Sequence, residues 1–133
     1  MTRDWRDRVR MEIMTILHIC CQLIIGLGIL NVWFLRSSTK TAYRGGTSSS
    51  LKEEFTAYGL PSGIFWIVGI LKVGAALALL AGIVVPELIN PAAMLMAGLM
   101  AGAIIMHLKV KDSPKKSLPA TIVLALALIL IFT

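Results

Sequence analysis

Charge is scarce in this chain: Asp, Glu, Lys and Arg make up 15% of its 133 residues, against about a quarter in ordinary soluble domains. A conventional water-soluble domain is therefore excluded. Acidic residues are scarcer still, seven in all, and each lies outside an apolar run or at its end. That argues against a small multidrug-type transporter, which needs an intramembrane carboxylate to exchange protons for cations. The two cysteines, Cys20 and Cys21, are neighbours within an apolar run and point ~100° apart on a helix, so they are expected to be reduced and structural. GxSxG, phosphate-loop and CxxC motifs are absent, as are paired intramembrane carboxylates. Familiar catalytic templates are thereby excluded, and whether the chain is an enzyme stays open.

What is present is apolar: 57% of residues are hydrophobic, enough for about four spans of ~20 residues joined by short loops. The net charge of +6 does not point to nucleic acid, because the basic residues flank apolar runs, where they meet lipid headgroups. Apolar runs place spans at residues 13–35, 61–85, 92–108 and 117–132. The polar segment before Ile13 carries Trp5 as an interfacial anchor, and no small-residue cleavage pattern follows the first span, so an uncleaved helix is expected. A short helix over residues 51–58 is marked at both ends. Ser50-Leu51-Lys52-Glu53 is a capping box, and Gly59 followed by Pro61 is a stop signal. Its apolar face, Leu51, Phe55 and Tyr58, is too short to span and belongs at the bundle end or membrane surface. The fold expected is all-α: a single-domain, multi-pass integral membrane four-helix bundle with a short amphipathic helix between spans one and two. Eight Lys or Arg in and beside the first and third loops, against four in the N-terminal segment, favour those loops as cytoplasmic.

Lys72 is the one charge deep in a span. Such a group costs ~2.5–3.5 kcal/mol at the helix centre and usually faces a bundle interior. Its position ~15 Å into the second span lets its stem reach back toward the first and third loops. Asn31 and His107 end their spans on that side, and Glu53, Glu54 and Tyr58 lie on the short helix there. These six residues are the expected polar site, able to hold a quinone headgroup or that of another lipid, with no metal. His18 shares a face with Cys21 and Gln22, but a hydrogen-bonded histidine near a helix end explains it better than a ligand set. His18 opens span one and His107 closes span three, so the two lie on opposite membrane faces and do not bridge a haem. Gly98-Leu99-Met100-Ala101-Gly102 is a GxxxG contact motif suited to close helix packing, including packing between two copies of the chain.

The chain resembles the DoxX-like family of small four-helix membrane proteins. The likeness rests on Asn31-Val32-Trp33-Phe34-Leu35-Arg36, on Tyr43-Arg44-Gly45-Gly46, on Glu53-Glu54-Phe55 with Tyr58-Gly59-Leu60-Pro61, and on Gly69-Ile70-Leu71-Lys72. Gly102-Ala103-Ile104-Ile105-Met106-His107 and Lys116-Ser117-Leu118-Pro119-Ala120 complete it. The resemblance implies a four-helix bundle and, for some members, partnership with an oxidoreductase; it fixes no cofactor, and a quinone or another lipid are the candidates. Similar animal proteins act as assembly factors, which leaves a non-catalytic scaffold as the alternative. Many relatives carry an acidic residue where Lys72 stands, so a role resting on that carboxylate does not transfer. In a bacterium the inner membrane is the expected location.

Overall fold

The computed structural model describes residues 2–36, 38, 41, 43–46 and 48–133, with the backbone alone at Thr2, Arg3 and Ser62. Thr47, part of the turn signal in the first loop, lies outside the described residues. The described residues form helices α1 (Thr2–Leu30), α2 (Leu51–Ala57), α3 (Ser62–Ala81), α4 (Ile89–Lys109) and α5 (Leu118–Phe132). Among the described residues, four helical stretches are long and apolar enough to cross a membrane. They form a ring in which α1 packs on α3, α3 on α4, α4 on α5 and α5 back on α1. Up-and-down connections between ring neighbours are what short loops permit.

The core holds the small and aliphatic faces of the four spans: Cys21 and Ile25 of α1, Ala76 and Leu79 of α3, Ala93 and Met96 of α4, and Ala127 of α5. Larger apolar side chains such as Ile67, Ile70, Leu77 and Ile105 face outward. Lipid accepts that arrangement; water would not. Gln22 is buried in the core and donates to the carbonyl oxygen of Leu79 at 2.7 Å, a polar tie between α1 and α3.

Several boundaries differ from the apolar runs for local reasons. The helix of span one starts at Thr2, because the charged leader alternates in sign and pairs along its own surface, Asp4 with Arg8 at 3.5 Å. Residues Asp4–Leu17 are exposed, and His18 meets the Thr133 hydroxyl at 2.7 Å, so this stretch runs past the end of α5. The second span stops at Ala81, where Gly82 packs against Ile89 and Gln22. Helix α4 begins at Ile89, ahead of Pro91, because a proline in the first turn lacks only an amide that has no helical partner there. The last helix is 15 residues, ~22 Å, lengthened by a 3-10 turn over Pro114–Ser117.

Two distortions position the site. After Leu30, α1 continues as a π-helical turn, Asn31–Leu35, closed by the Arg36 amide donating to the Asn31 carbonyl at 3.0 Å. Such turns re-aim side chains and recur at functional sites. At the far end of α4 the chain reverses through Lys111, the one non-glycine residue with positive φ, 58°, among the described residues. The Asp112 amide then donates to the His107 carbonyl at 3.0 Å and the Lys111 amide to Leu108 at 3.1 Å, a Schellman closure. That turn brings Asp112 back over His107.

Candidate functional site

A polar network is buried where the first loop, α2 and the α4–α5 turn meet. Helix α2 carries it because its inward face is Leu51, Glu54, Phe55 and Tyr58, at i, i+3, i+4 and i+7, and all four are buried. Ser50 caps the helix by accepting from the Glu53 amide at 3.1 Å. Glu53 closes the cap outward, accepting from the Ser49 amide (2.8 Å) and hydroxyl (2.6 Å). At the other end Gly59, at φ 76°, completes a Schellman turn through Gly59 to Thr56 (2.9 Å) and Leu60 to Phe55 (3.1 Å). Lys109 donates to the Tyr58 carbonyl at 2.9 Å, placing a cation at the helix's negative end.

The Tyr58 hydroxyl donates to Glu54 Oε1 at 2.5 Å, and Arg44 Nη1 lies 3.5 Å from Glu54 Oε2. His107 Nε2 is 3.3 Å from the Tyr58 oxygen and 3.7 Å from Glu54 Oε1. The Tyr58 oxygen is also 3.5 Å from His107 Nδ1, which is itself 2.8 Å from Asp112 Oδ2. Asp112 Oδ1 accepts from the Gly46 amide at 3.0 Å and sits 3.6 Å from Lys116 Nζ. Lys116 also donates to the Gly46 carbonyl, and Arg44 to that of Arg36. The order of groups is thus Arg44, Glu54, His107, Asp112, Lys116: basic and acidic in alternation. Arg44, Glu54, His107 and Asp112 are each nearly excluded from solvent, and alternation is what makes such burial tolerable.

Burial pushes the Asp112 carboxyl up, but the His107, Gly46 and Lys116 contacts outweigh it and hold the group below the usual carboxylate range. An ionised carboxylate accepts only, so His107 Nδ1 carries the hydrogen between them. Burial and then Glu54 push the Tyr58 phenol well above its ordinary value. Tyr58 is therefore a neutral hydrogen-bond donor throughout the physiological range. The exposed Glu53 is held low by its bonds to Ser49.

Lys72 lies on the span side of this network. Its ammonium sits 5.9 Å from the Trp33 ring centroid, within cation–π range. The π-turn aims Trp33 there, and Gly69 makes room: a Cβ at 69 would lie 2.5 Å from the indole. Trp33 in turn packs on Phe65 (centroids 5.1 Å) and Phe55 (6.3 Å), so α2 is pinned to α3 through an aromatic cluster. Among the described residues Lys72 forms no ion pair within 4.0 Å and no hydrogen bond.

Of the six residues expected at the site, the structure joins Glu54, Tyr58 and His107 directly and sets Lys72 on Trp33 beside them. Glu53 faces solvent one position away. Asn31 contributes its backbone carbonyl to the π-turn, and its side chain makes no hydrogen bond among the described residues. Arg44, Asp112 and Lys116 complete the network without having been singled out. Among the described residues, no group of three or more His, Cys, Asp or Glu is arranged to hold a metal ion. Gly98 and Gly102 turn away from the bundle, with nothing within 4 Å of a Cβ at either.

Four apolar spans in a ring, with buried ionisable groups gathered at one end, define a small multi-pass helical membrane protein. The chain belongs to the DoxX-like family, whose model matches residues 25–130, including Trp33, Lys72 and the whole network. Comparison with curated proteins and with solved structures gives no match.

Proposed function

We propose that this protein is a membrane accessory subunit that holds the polar headgroup of a membrane-dissolved molecule, a quinone or another lipid, at Lys72, in association with a membrane oxidoreductase. The observation that carries the reading is the state of the Lys72 ammonium. It stands in a span on the face of Trp33, without a carboxylate or hydrogen-bond acceptor among the described residues. A cation at such depth calls for an oxygen acceptor, and a quinone carbonyl or a lipid phosphate would supply one. The redox association rests on the family likeness. Charge favours a cytoplasmic position for the site: eight basic and three acidic residues lie around the first and third loops, four of each around the other end.

The test is extraction and mass spectrometry of what co-purifies in mild detergent. The parent protein should retain a quinone or a phospholipid, and the identity of the species separates those two sources. Lys72→Met should lose it while keeping its thermal midpoint within the range of a neutral surface change, about 0.5 kcal/mol. Equal retention by the variant would remove Lys72 from the reading.

A second reading, a scaffold that assembles with another helix, is favoured by one observation: the outward Gly98/Gly102 face of α4 leaves its backbone open to close approach.

A further inference from the structure

The first half of α1 projects from the bundle, and one face of it is apolar, cationic and uncovered. We propose that this face, built from Trp5, Val9 and Ile13 with the guanidinium groups of Arg6 and Arg10, docks an acidic amphipathic helix of a partner protein: an apolar ridge flanked by carboxylates. It lies at the opposite end of the molecule from Lys72, so the proposal is independent of the headgroup reading.

Contacts within the bundle fix how far the helix projects. Gln22 donates to Leu79 in the last turn of α3, and Gly82 and Ile89 pack beside it, so the turn between α3 and α4 is level with Gln22. Helix α3 is 20 residues, ~30 Å, the thickness of the hydrocarbon layer. Its end therefore marks a membrane boundary. Helix α1 runs unbroken from Thr2, which carries Trp5 ~25 Å past Gln22. Even a bilayer drawn up to Ile13, where the apolar run of α1 begins, leaves Trp5 ~12 Å beyond the hydrocarbon, past a headgroup layer ~5–8 Å deep. On either measure Trp5 and Arg6 stand in water. Trp5 is 51% exposed and Val9 43%.

Shape and charge name the occupant. Trp5-Val9-Ile13 and Arg6-Arg10-Met14 are neighbouring i, i+4 rows, and these six side chains line one shallow groove. Such a groove accepts the side-chain ridge of a second helix. Arg6 and Arg10 form no ion pair among the described residues, although the same stretch holds three acids. Asp4 is engaged by Arg8 on the other side of the helix at 3.5 Å, and Asp7 and Glu12 do not line the groove. The Arg6 guanidinium lies 5.8 Å from the Trp5 ring centroid, which holds it against the apolar wall. Like charges at i and i+4 oppose the helix that carries them, so an arriving carboxylate relieves a repulsion as well as forming a charged hydrogen bond. A second copy fits poorly. With a two-fold axis along the bilayer normal the projections run parallel, and Arg6 and Arg10 meet their own counterparts.

The experiment is photo-crosslinking of the full chain in its native membranes, with benzoylphenylalanine placed at Val9 in the groove or at Met11 on another face, where the side chain is 69% exposed. The Val9 probe should give a protein adduct, and the Met11 probe none. Sequenced by mass spectrometry, the cross-linked peptide should carry apolar residues at helical spacing with Asp or Glu beside them. Replacing both arginines, Arg6→Glu with Arg10→Glu, should abolish the adduct, while Arg6→Lys with Arg10→Lys should keep it; an equal thermal midpoint for the two double variants shows that charge and not folding is read. An adduct within or between copies of this chain, to lipid alone, or to a peptide without acidic residues would overturn the proposal. So would no adduct at Val9, equal adducts from both faces, or an adduct that survives the glutamate replacements.

Discussion

Gly45→Ala tests whether the network depends on where one ring sits. The new Cβ would lie 2.6 Å from Cε1 and from the hydroxyl oxygen of Tyr58, and 2.8 Å from Cζ. Ordinary contact begins near 3.4 Å, so the ring must retreat by about 0.8 Å. It has nowhere easy to go: the Phe55 centroid is 6.2 Å away on one side and the His107 ring 5.7 Å on another. A shift of that size away from Glu54 stretches the 2.5 Å bond to the limit of hydrogen bonding. Overpacking costs about 1–3 kcal/mol, and loss of a hydrogen bond to a charged group adds about 1.5–3 kcal/mol. The expected total is roughly 2.5–6 kcal/mol, read from unfolding of the purified protein in mixed micelles. The origin is checked by a double-mutant cycle. In a Tyr58→Ala background the methyl group has room, so Gly45→Ala should cost less than about 0.5 kcal/mol there, giving a coupling of at least 2 kcal/mol. A full cost that persists without the ring, or a small cost with it, would refute the reasoning.

Lys111→Gly should stabilise the protein by about 0.5–1 kcal/mol, because Lys111 holds φ 58°, where glycine has no Cβ penalty; a loss of stability in the same unfolding assay would show that the lysine side chain matters more than its backbone. The pH dependence has two edges. Asp112 is depressed, so its contribution is complete above the ordinary carboxylate pKa of about 3.9 and fades as pH falls below it. Tyr58 is raised, so the folded state keeps its proton where the unfolded chain has lost it, and stability should fall as pH rises above about 10. Asp112→Asn should flatten the acid edge and Tyr58→Phe the alkaline edge of a thermal-midpoint profile; unchanged edges would contradict those assignments.

The architecture was legible in the sequence because it follows from apolar length and turn chemistry, which act locally. Lys72, His107, Glu54 and Tyr58 were legible as well, since depth along a span places each at one end of the bundle. The choice between Glu53 and Glu54 was also available. A glutamate at the third position of a capping box is already committed to the cap, and Glu54, not Glu53, shares the inward face with Leu51, Phe55 and Tyr58. Arg44, Asp112 and Lys116 were not legible. Their positions are set by contacts across 66 and 70 residues of sequence and by a left-handed turn at a lysine, which no propensity favours. The π-turn was hidden for a similar reason, because Asn31–Leu35 reads as the unbroken end of a span while Gly69 of α3 decides where Trp33 can lie.

The bond between Gly46 and Asp112 closes a span of 66 residues, which makes the order of synthesis matter. At roughly 5–20 residues per second, Asp112 is made about 3–13 s after Gly46. For that interval the first loop and α2 have neither His107 nor Asp112 to meet, and Glu54 must stay near water. The site end of the first two spans therefore matures only when the α4–α5 hairpin arrives. The final pair of helices acts as an internal template for a segment made well before it, and a chain stopped after α3 would leave Glu54 with Arg44 and Tyr58 but without His107 at the membrane face.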